Sequence, residues 1–315
     1  MSLQKKIYYP YIGLWYTVTS RHPIGKNIYE KDWDVAIILD TCRVDALREL
    51  ESEYEFINGI NSIWSVGSST PEWLINTFTT EWADKIRKTT RISANGFDEY
   101  ILVQRSLPPE IDKAPFSNPS FSPVDHTEFE RLEIMYKGKY HSERLGTVPP
   151  EHVTKRGIAV GRNTDWEKLM LHYIQPHAPY ISQKAQSDSS LSEVEDRPMW
   201  ALRSGLIKKG KAWEMYLDNL RLVLDSVKEL INNIDAENIV ITADHGESFG
   251  EYGGKFGHID GYLSPEVKRV PWVSTSGSDQ RTTIPGEEYQ GDIYSQGSQF
   301  EKRELENHLK DLGYF

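Results

Sequence analysis

The chain has 315 residues, a formal net charge of −11 at neutral pH and 38% hydrophobic residues, including nine tryptophans. That much apolar material argues against a disordered chain, and the acidity without a strong lysine or arginine cluster argues against a nucleic-acid-binding protein. A single cysteine, Cys42, excludes an intrachain disulfide. Because no apolar run reaches the roughly 18–20 residues of a membrane span and no secretory signal is recognisable, we expect a cytoplasmic protein without a membrane span.

The first half of the chain begins with a strand-and-helix pattern. The apolar run DVAIILD (34–40) predicts a buried strand that ends in an acid, and residues with helical spacing follow it. The stretch SVGSSTPEWLINTFT (65–79) predicts a turn that enters a helix, with Pro71 in the first turn. RKTTRISAN (87–95) is a further candidate strand. Residues 104–162 are rich in proline, serine and charge, and we expect them to form a loop-rich insertion.

The second half of the chain also alternates between predicted strands and helices. WEKLMLHYIQPHAPYI (166–181) predicts a strand running into a turn, and residues 211–234 carry the clearest amphipathic helix pattern. NIVITAD and RVPWVSTS (269–276) predict two more strands, and residues 300–315 predict a closing helix. Strands that alternate with helices indicate an α/β fold with a mostly parallel central sheet and helices on both faces.

Chemistry-bearing side chains follow the predicted strands. Asp40 ends one strand, and Asp244 and His245 end another. Since carboxyl ends of parallel strands meet at one sheet edge, two buried carboxylates there require a partner, and a divalent cation supplies one. Adjacent strand residues point to opposite faces, so the strand must end before both can act, and Gly246 permits such a turn. The alternative is that each aspartate caps the following helix.

The types of ligand narrow the choice of metal ion. Carboxylates combined with imidazole favour Zn²⁺ or Mn²⁺ over Mg²⁺ or Ca²⁺, and the candidate residues would hold one or two ions.

At this point a family resemblance is visible. ADHGESFGEYGG, followed by His258 and then RVPW, resembles the sulfatase-like branch of the alkaline phosphatase superfamily. AIILDTCRVDAL, YIQPHAPY and the terminal LKDLGYF extend the resemblance in the same order along the chain. The resemblance implies that Asp40, Asp244 and His245 are metal ligands. It also implies that Thr70, in GSSTPEW, is both nucleophile and metal ligand, with Ser69 as the second candidate. A plain helix cap is the alternative for this stretch.

The resemblance also implies roles for several other side chains. His177 and His258 would contact substrate oxygens, protonate the leaving group or hold a second metal, and His172 competes with His177 for that role. A strand histidine is more often structural. The implied substrate-binding residues are Arg43, Ser69 and Lys255. For Arg43, a salt bridge is an equal alternative.

The sequence also departs from one part of the family. Sulfatases with a formylglycine use C/S-x-P-S-R, whereas this chain has Glu72 and Trp73 where serine and arginine would stand. Cys42 lies in a different context, where a small buried side chain is expected, and Thr41 replaces a second strand-end acid. The pattern is therefore closer to threonine-nucleophile phosphohydrolases and phosphoglycerol transferases.

These observations predict a metal-dependent hydrolase of phosphate or sulfate esters that acts through Thr70 on a small-molecule or glycan ester. The alternatives are a transferase that moves a phosphoalkyl group, such as phosphoglycerol or phosphoethanolamine, to a glycan, and a non-catalytic binding member of the same fold. Residues 1–275 would form the catalytic domain, with 104–162 as its insertion. Residues 276–315 would form a linker and a C-terminal helix packed on that domain. The oligomeric state is left open.

Overall fold

The computed structural model describes residues 3–181, 190–251 and 255–290. The strands are β1 (Val35–Leu39), β2 (Asn61–Trp64), β3 (Thr89–Ser93), β4 (Arg131–Ile134), β5 (Lys168–Tyr173), β6 (Ala236–Thr242) and β7 (Arg269–Gly277). The α-helices are α1 (Leu3–Thr19), α2 (Val44–Leu50), α3 (Thr70–Thr77), α4 (Ala83–Ile86), α5 (Pro150–Asn163), α6 (Glu193–Asp196), α7 (Pro198–Arg203), α8 (Lys209–Ile231) and α9 (Pro265–Lys268).

The seven strands form one sheet in the order β2-β7-β6-β1-β5-β3-β4. The five strands from β6 to β4 are mutually parallel, whereas β7 runs antiparallel to both β6 and β2. The predicted mostly parallel α/β sheet is therefore confirmed. The antiparallel direction of β7 and the short edge strand β2 are features that the apolar pattern alone did not indicate.

Strand β1 lies at the centre of the sheet and is buried along its whole length. Its side chains alternate between two hydrophobic clusters, with Ile37 in one and Ile38 in the other. Helix α8 contributes Leu220 to the first cluster, and α3 contributes Leu74 to the second. Helices therefore cover both faces, which explains why β1 reads as a continuous apolar run.

The expected loop-rich insertion at 104–162 is wrong in part, because this region supplies edge strand β4 and the 14-residue helix α5. The physical reason is a buried ion pair: the Arg156 guanidinium on α5 donates to both carboxylate oxygens of Glu133 on β4, at 2.6 and 2.5 Å. A paired arginine in the core breaks the apolar periodicity that would have indicated the helix.

Helix α1 was not predicted, and its inner face packs beside the start of α3. The predicted closing helix at 300–315 lies outside the described residues, so the proposed division at residue 275 stays a prediction. Within the described parts of the chain, no helix is both long and apolar enough to cross a membrane.

Candidate active site

The carboxyl ends of β1 and β6 bring Asp40 and Asp244 together in the interior. Both side chains have no solvent exposure. Thr41, directly after Asp40, has a φ of 65°, an uncommon left-handed conformation for a β-branched residue, and its amide donates to Asp244 Oδ1 at 3.3 Å. Such a turn is costly, and strained backbone of this kind concentrates at functional sites. The turn therefore links the two acids directly.

His245 completes this group, as the sequence predicted that the strand would end before it. Strand β6 ends at Thr242, and His245 Nε2 lies 3.4 Å from Asp244 Oδ2 and 3.7 Å from Asp40 Oδ1. Its Nδ1 lies 2.9 Å from the Gly246 carbonyl oxygen, which can only accept a hydrogen bond. Nδ1 therefore carries the proton, and the Nε2 lone pair faces the two acids.

The sequence predicted that Gly246 permits a sharp turn, but the structure requires a glycine here because of a close backbone contact. Its φ is not in the left-handed region. A Cβ at this position would lie 2.0 Å from the Glu266 carbonyl oxygen, so any side chain would displace the segment that precedes β7. The glycine allows α9 to pack tightly against the Asp244–His245 segment.

Thr70 stands at the start of α3 with its hydroxyl directed at the same group. Thr70 Oγ1 lies 2.8 Å from Asp244 Oδ2, 3.4 Å from Asp40 Oδ2 and 3.3 Å from His245 Nε2. Ser69, the second nucleophile candidate, is the N-cap of α3, and its hydroxyl donates to Asp260 instead. The structure thus brings Thr70, and not Ser69, to the predicted ligands.

The electrostatics of the group formed by Asp40, Thr70, Asp244 and His245 suit a bound cation. Asp244 contacts the Thr41 amide, the Thr70 hydroxyl and two histidines, and no lysine or arginine of the described residues pairs with it. Burial raises the pKa of Asp244 to about 6, and burial lowers the pKa of His245 well below its usual range. Two acids, a hydroxyl and a neutral imidazole with a free lone pair fit a divalent cation.

A second group lies beside the first. His177, Glu247 and His258 place potential ligand atoms within 4.8 Å of one another, as do Asp40, Asp244 and His245. His258 Nδ1 lies 3.2 Å from Glu247 Oε1, and the His258 ring centroid is 4.3 Å from that of His245. The two predicted histidines are therefore brought together next to the first group. Glu247, the E of DHGE, is a member that the sequence analysis did not single out.

The pKa values of His177 and His258 are shifted in opposite directions. Burial, together with the charge of His258, lowers the pKa of His177 to about 4. Burial acts in the same direction on His258, but the Glu247 carboxylate outweighs it and raises the pKa of His258. His258 can thus carry a proton under conditions where His177 is neutral.

His172, the competitor of His177, occupies a different place. The Arg91 guanidinium, which can only donate, lies 2.9 Å from His172 Nδ1 and also holds Asp98 at 2.5 Å. Nδ1 is therefore the acceptor, and Nε2 carries the proton at 3.8 Å from Asp244 Oδ2. This distance is longer than a hydrogen bond, so His172 does not hold Asp244 in place, and its Nε2 has no lone pair to offer at that position.

The predicted substrate-binding residues do not join the two groups. All the guanidinium nitrogens of Arg43 bind Asp45, Glu251 or the Glu247 carbonyl, so Arg43 makes the salt bridges of the alternative, and its substrate-binding role stays a prediction. Lys255 is exposed, with its ammonium group about 6 Å from the ring centroids of two tyrosines. Its role stays a prediction.

Cys42 is fully buried, and burial raises the pKa of its thiol far above the usual value. This agrees with the expected small buried side chain.

The sequence analysis also missed two supporting residues. Asn95 follows β3, and its amide donates to Asp40 Oδ2 at 2.9 Å. Glu72, in the first turn of α3, accepts the Trp15 indole N–H at 2.6 Å and the Ser68 amide at 2.9 Å. Asn95 follows a predicted strand, and this position could have indicated that it lies near the site. For Glu72 there was no such signal, because α1 was not expected.

Comparisons with known proteins agree with this architecture. The soluble domain of lipooligosaccharide phosphoethanolamine transferase A from Neisseria meningitidis matches with a TM-score of 0.51 and 13% identity, covering 78% of this chain and 77% of that one. Looser matches are an alkaline phosphatase superfamily protein from Vibrio parahaemolyticus (TM-score 0.42, 11% identity, 89% and 70% covered) and BT1596, a 2-O GAG sulfatase (0.40, 10%, 81% and 66%). No protein-family model and no curated protein matches the sequence.

The chain therefore shares the fold of that phosphoethanolamine transferase domain, and the predicted α/β architecture with a mostly parallel sheet is confirmed. At these identities the likeness concerns the fold, and the chemistry must be argued from the residues of this chain.

Proposed function

We propose that this protein is a metal-dependent enzyme that cleaves phosphate or sulfate esters through Thr70. The observation that carries the proposal is the position of Thr70 Oγ1, which contacts Asp40, Asp244 and His245 at one buried point. A helix cap needs no such surroundings. The cap of α3 is provided by Ser69, which leaves the Thr70 hydroxyl available for chemistry.

Asp40, Thr70, Asp244 and His245 would hold a divalent cation, with Zn²⁺ and Mn²⁺ best suited to the ligand set. When bound, the cation would neutralise the buried acids and lower the pKa of the threonine hydroxyl. Asn95 would keep the Asp40 carboxylate in place through the hydrogen bond from its amide.

In the first step the Thr70 hydroxyl gives its proton to the Asp244 carboxylate, to which it donates a hydrogen bond at 2.8 Å. Thr70 Oγ forms a bond to the phosphorus or sulfur atom, and the bond from that atom to the ester oxygen breaks. His177 and His258 lie where they would contact the oxygens of the ester. His258 is the better proton donor to the leaving oxygen, because Glu247 raises its pKa. In the second step an incoming oxygen nucleophile breaks the bond to Thr70 and restores the hydroxyl.

The identity of that nucleophile separates the two candidate reactions. Water gives a hydrolase, whereas a hydroxyl group of a glycan gives a phosphoalkyl transferase. The second candidate is supported by the shared fold with a phosphoethanolamine transferase domain. Both reactions use the same first step and the same residues.

The experiment is a panel of aryl phosphate monoesters, phosphodiesters and sulfate esters, each assayed with Zn²⁺, Mn²⁺, Mg²⁺ and Ca²⁺ after removal of metal. We expect turnover of at least one ester class, dependent on added metal and absent in Thr70→Ala. Ser69→Ala is the matched control, because it changes the neighbouring hydroxyl. No turnover of any ester, together with no metal binding, would support the non-catalytic alternative.

A further inference from the structure

Helix α1 has two apolar faces. Its inner face is docked: Ile12 and Tyr16 are fully buried in a cluster with Ile111, and the Trp15 indole donates to Glu72. The helix is therefore held in place mainly by contacts on one side, and of its outer row only Tyr11, at the edge, takes part in the described packing.

The outer face carries an exposed apolar stripe. Ile7 is 67% exposed, Tyr11 40%, Leu14 64% and Val18 46%. These positions follow a spacing of four, three and four residues, which places them on one narrow side of a helix. In the described structure this row of large side chains faces outward. Such an arrangement indicates an interaction surface.

The charge around the stripe identifies the kind of partner. Residues 1–25 contain Lys5, Lys6 and Arg21 and no acidic residue, although the chain as a whole carries a net charge of −11. A helix that combines an apolar stripe, two lysines, four tyrosines and one tryptophan has the composition of a segment that lies flat in an anionic membrane surface.

A second protein molecule fits the stripe less well. Stable protein interfaces use roughly 20–30 residues on each side, whereas the stripe offers four side chains on a single helix. Shallow insertion between lipid headgroups needs only such a narrow row of side chains.

We propose that the outer face of α1 docks the protein on the surface of an anionic lipid bilayer, with Ile7, Leu14 and Val18 inserted among the headgroups and Tyr11 at the edge of the contact. This surface is independent of the reaction at Thr70. The Tyr11 hydroxyl donates to the Gly261 carbonyl, three residues after His258, so docking through α1 places the bilayer near the loop that carries this histidine.

The test is flotation of the full chain with vesicles of phosphatidylcholine alone and of phosphatidylcholine mixed with phosphatidylglycerol. We expect binding to the anionic vesicles that weakens at high salt. Leu14→Glu should weaken it by about tenfold or more, since an apolar side chain that inserts is replaced by a charged one that repels the anionic surface. Ile284→Glu is the matched control, because it adds the same charge at an exposed isoleucine outside α1.

Folding of each variant is checked by thermal melting, and Leu14→Ser provides a milder substitution if Leu14→Glu melts early. The proposal would be overturned if the protein bound neither kind of vesicle. It would also be overturned if the Leu14 variants bound anionic vesicles as well as the control variant does. A dimer in sedimentation that Leu14→Glu separates would instead make the stripe a contact between two copies of the chain. Both tests are independent of ester cleavage.

Discussion

Arg43 offers a sharp test because its two predicted roles have opposite consequences. The structure places its guanidinium between the Trp213 and Phe249 rings, at 4.9 and 5.6 Å from their centroids, with Glu251 at 3.0 Å and Asp45 at 2.6 Å. Arg43→Met keeps much of the side-chain volume and removes the charge. We expect this change to destabilise the protein while leaving the KM for the ester nearly unchanged.

The magnitude follows from which partners are shielded from water. The Asp45 side chain is 58% exposed, so its ion pair contributes at most about 1 kcal/mol. The Glu251 side chain is only 16% exposed, and leaving it and the Glu247 carbonyl without Arg43 costs about 1–3 kcal/mol more. With a small loss from the ring contacts, we expect a total of about 2–4 kcal/mol. For a chain of 315 residues that lowers the Tm by about 3–6 °C.

The same pair predicts a pH dependence. Burial acts to raise the pKa of Glu251, but the Lys209 ammonium and the Arg43 guanidinium outweigh it and lower this pKa to about 2. A carboxyl whose pKa is lower in the folded state stabilises the protein above its ordinary pKa of 4.5, and this contribution is lost as the pH falls toward 2. The difference in stability between wild type and Arg43→Met should therefore shrink below about pH 4.5.

The assay combines thermal melting at several pH values with steady-state kinetics on whichever ester the panel identifies. An unchanged Tm with a raised KM would refute this reasoning and return Arg43 to the substrate-binding role.

Further predictions concern the residues of the two groups. Thr70→Ser should retain partial activity because the hydroxyl remains, whereas Thr70→Ala should abolish turnover yet still bind metal in calorimetry. His258→Ala should melt normally and lose roughly 10²–10⁴-fold in kcat, and a large drop in Tm with little kinetic change would make it structural. Asn95→Leu should weaken metal binding by roughly 10–100-fold, because the amide that holds Asp40 is lost; an unchanged affinity would count against this positioning role. Exhaustive chelation should abolish activity and added Zn²⁺ or Mn²⁺ restore it, whereas full activity with metal analysis showing none bound would contradict the model.

Much of the sheet was predictable because its central strands are buried on both faces. The run at 34–40 contains β1, and the strand predicted before Asp244 ends where the polar residues begin. The parallel direction of β1, β5 and β6 then brings their carboxyl ends to one edge. That is why strand-end residues far apart in sequence could be grouped into a site.

The parts that were missed depend on tertiary contacts. Helix α5 holds Arg156 in the core because Glu133 neutralises it, and no single-sequence pattern reveals that pairing. The pairing of Arg43 with Glu251 similarly joins residues 208 positions apart. The inclusion of Glu247 in the second group depends on the return of the chain at His258, which only the folded structure shows.

The most direct test of the central claim is the identity of the covalent intermediate. Turnover of an active ester is quenched in acid, the intact mass is measured, and the modified peptide is sequenced by mass spectrometry. The account predicts a phosphate- or sulfate-derived adduct on Thr70 in the wild type and in Ser69→Ala, and none in Thr70→Ala. An adduct on Ser69, or the mass of a formylglycine at that position, would contradict it.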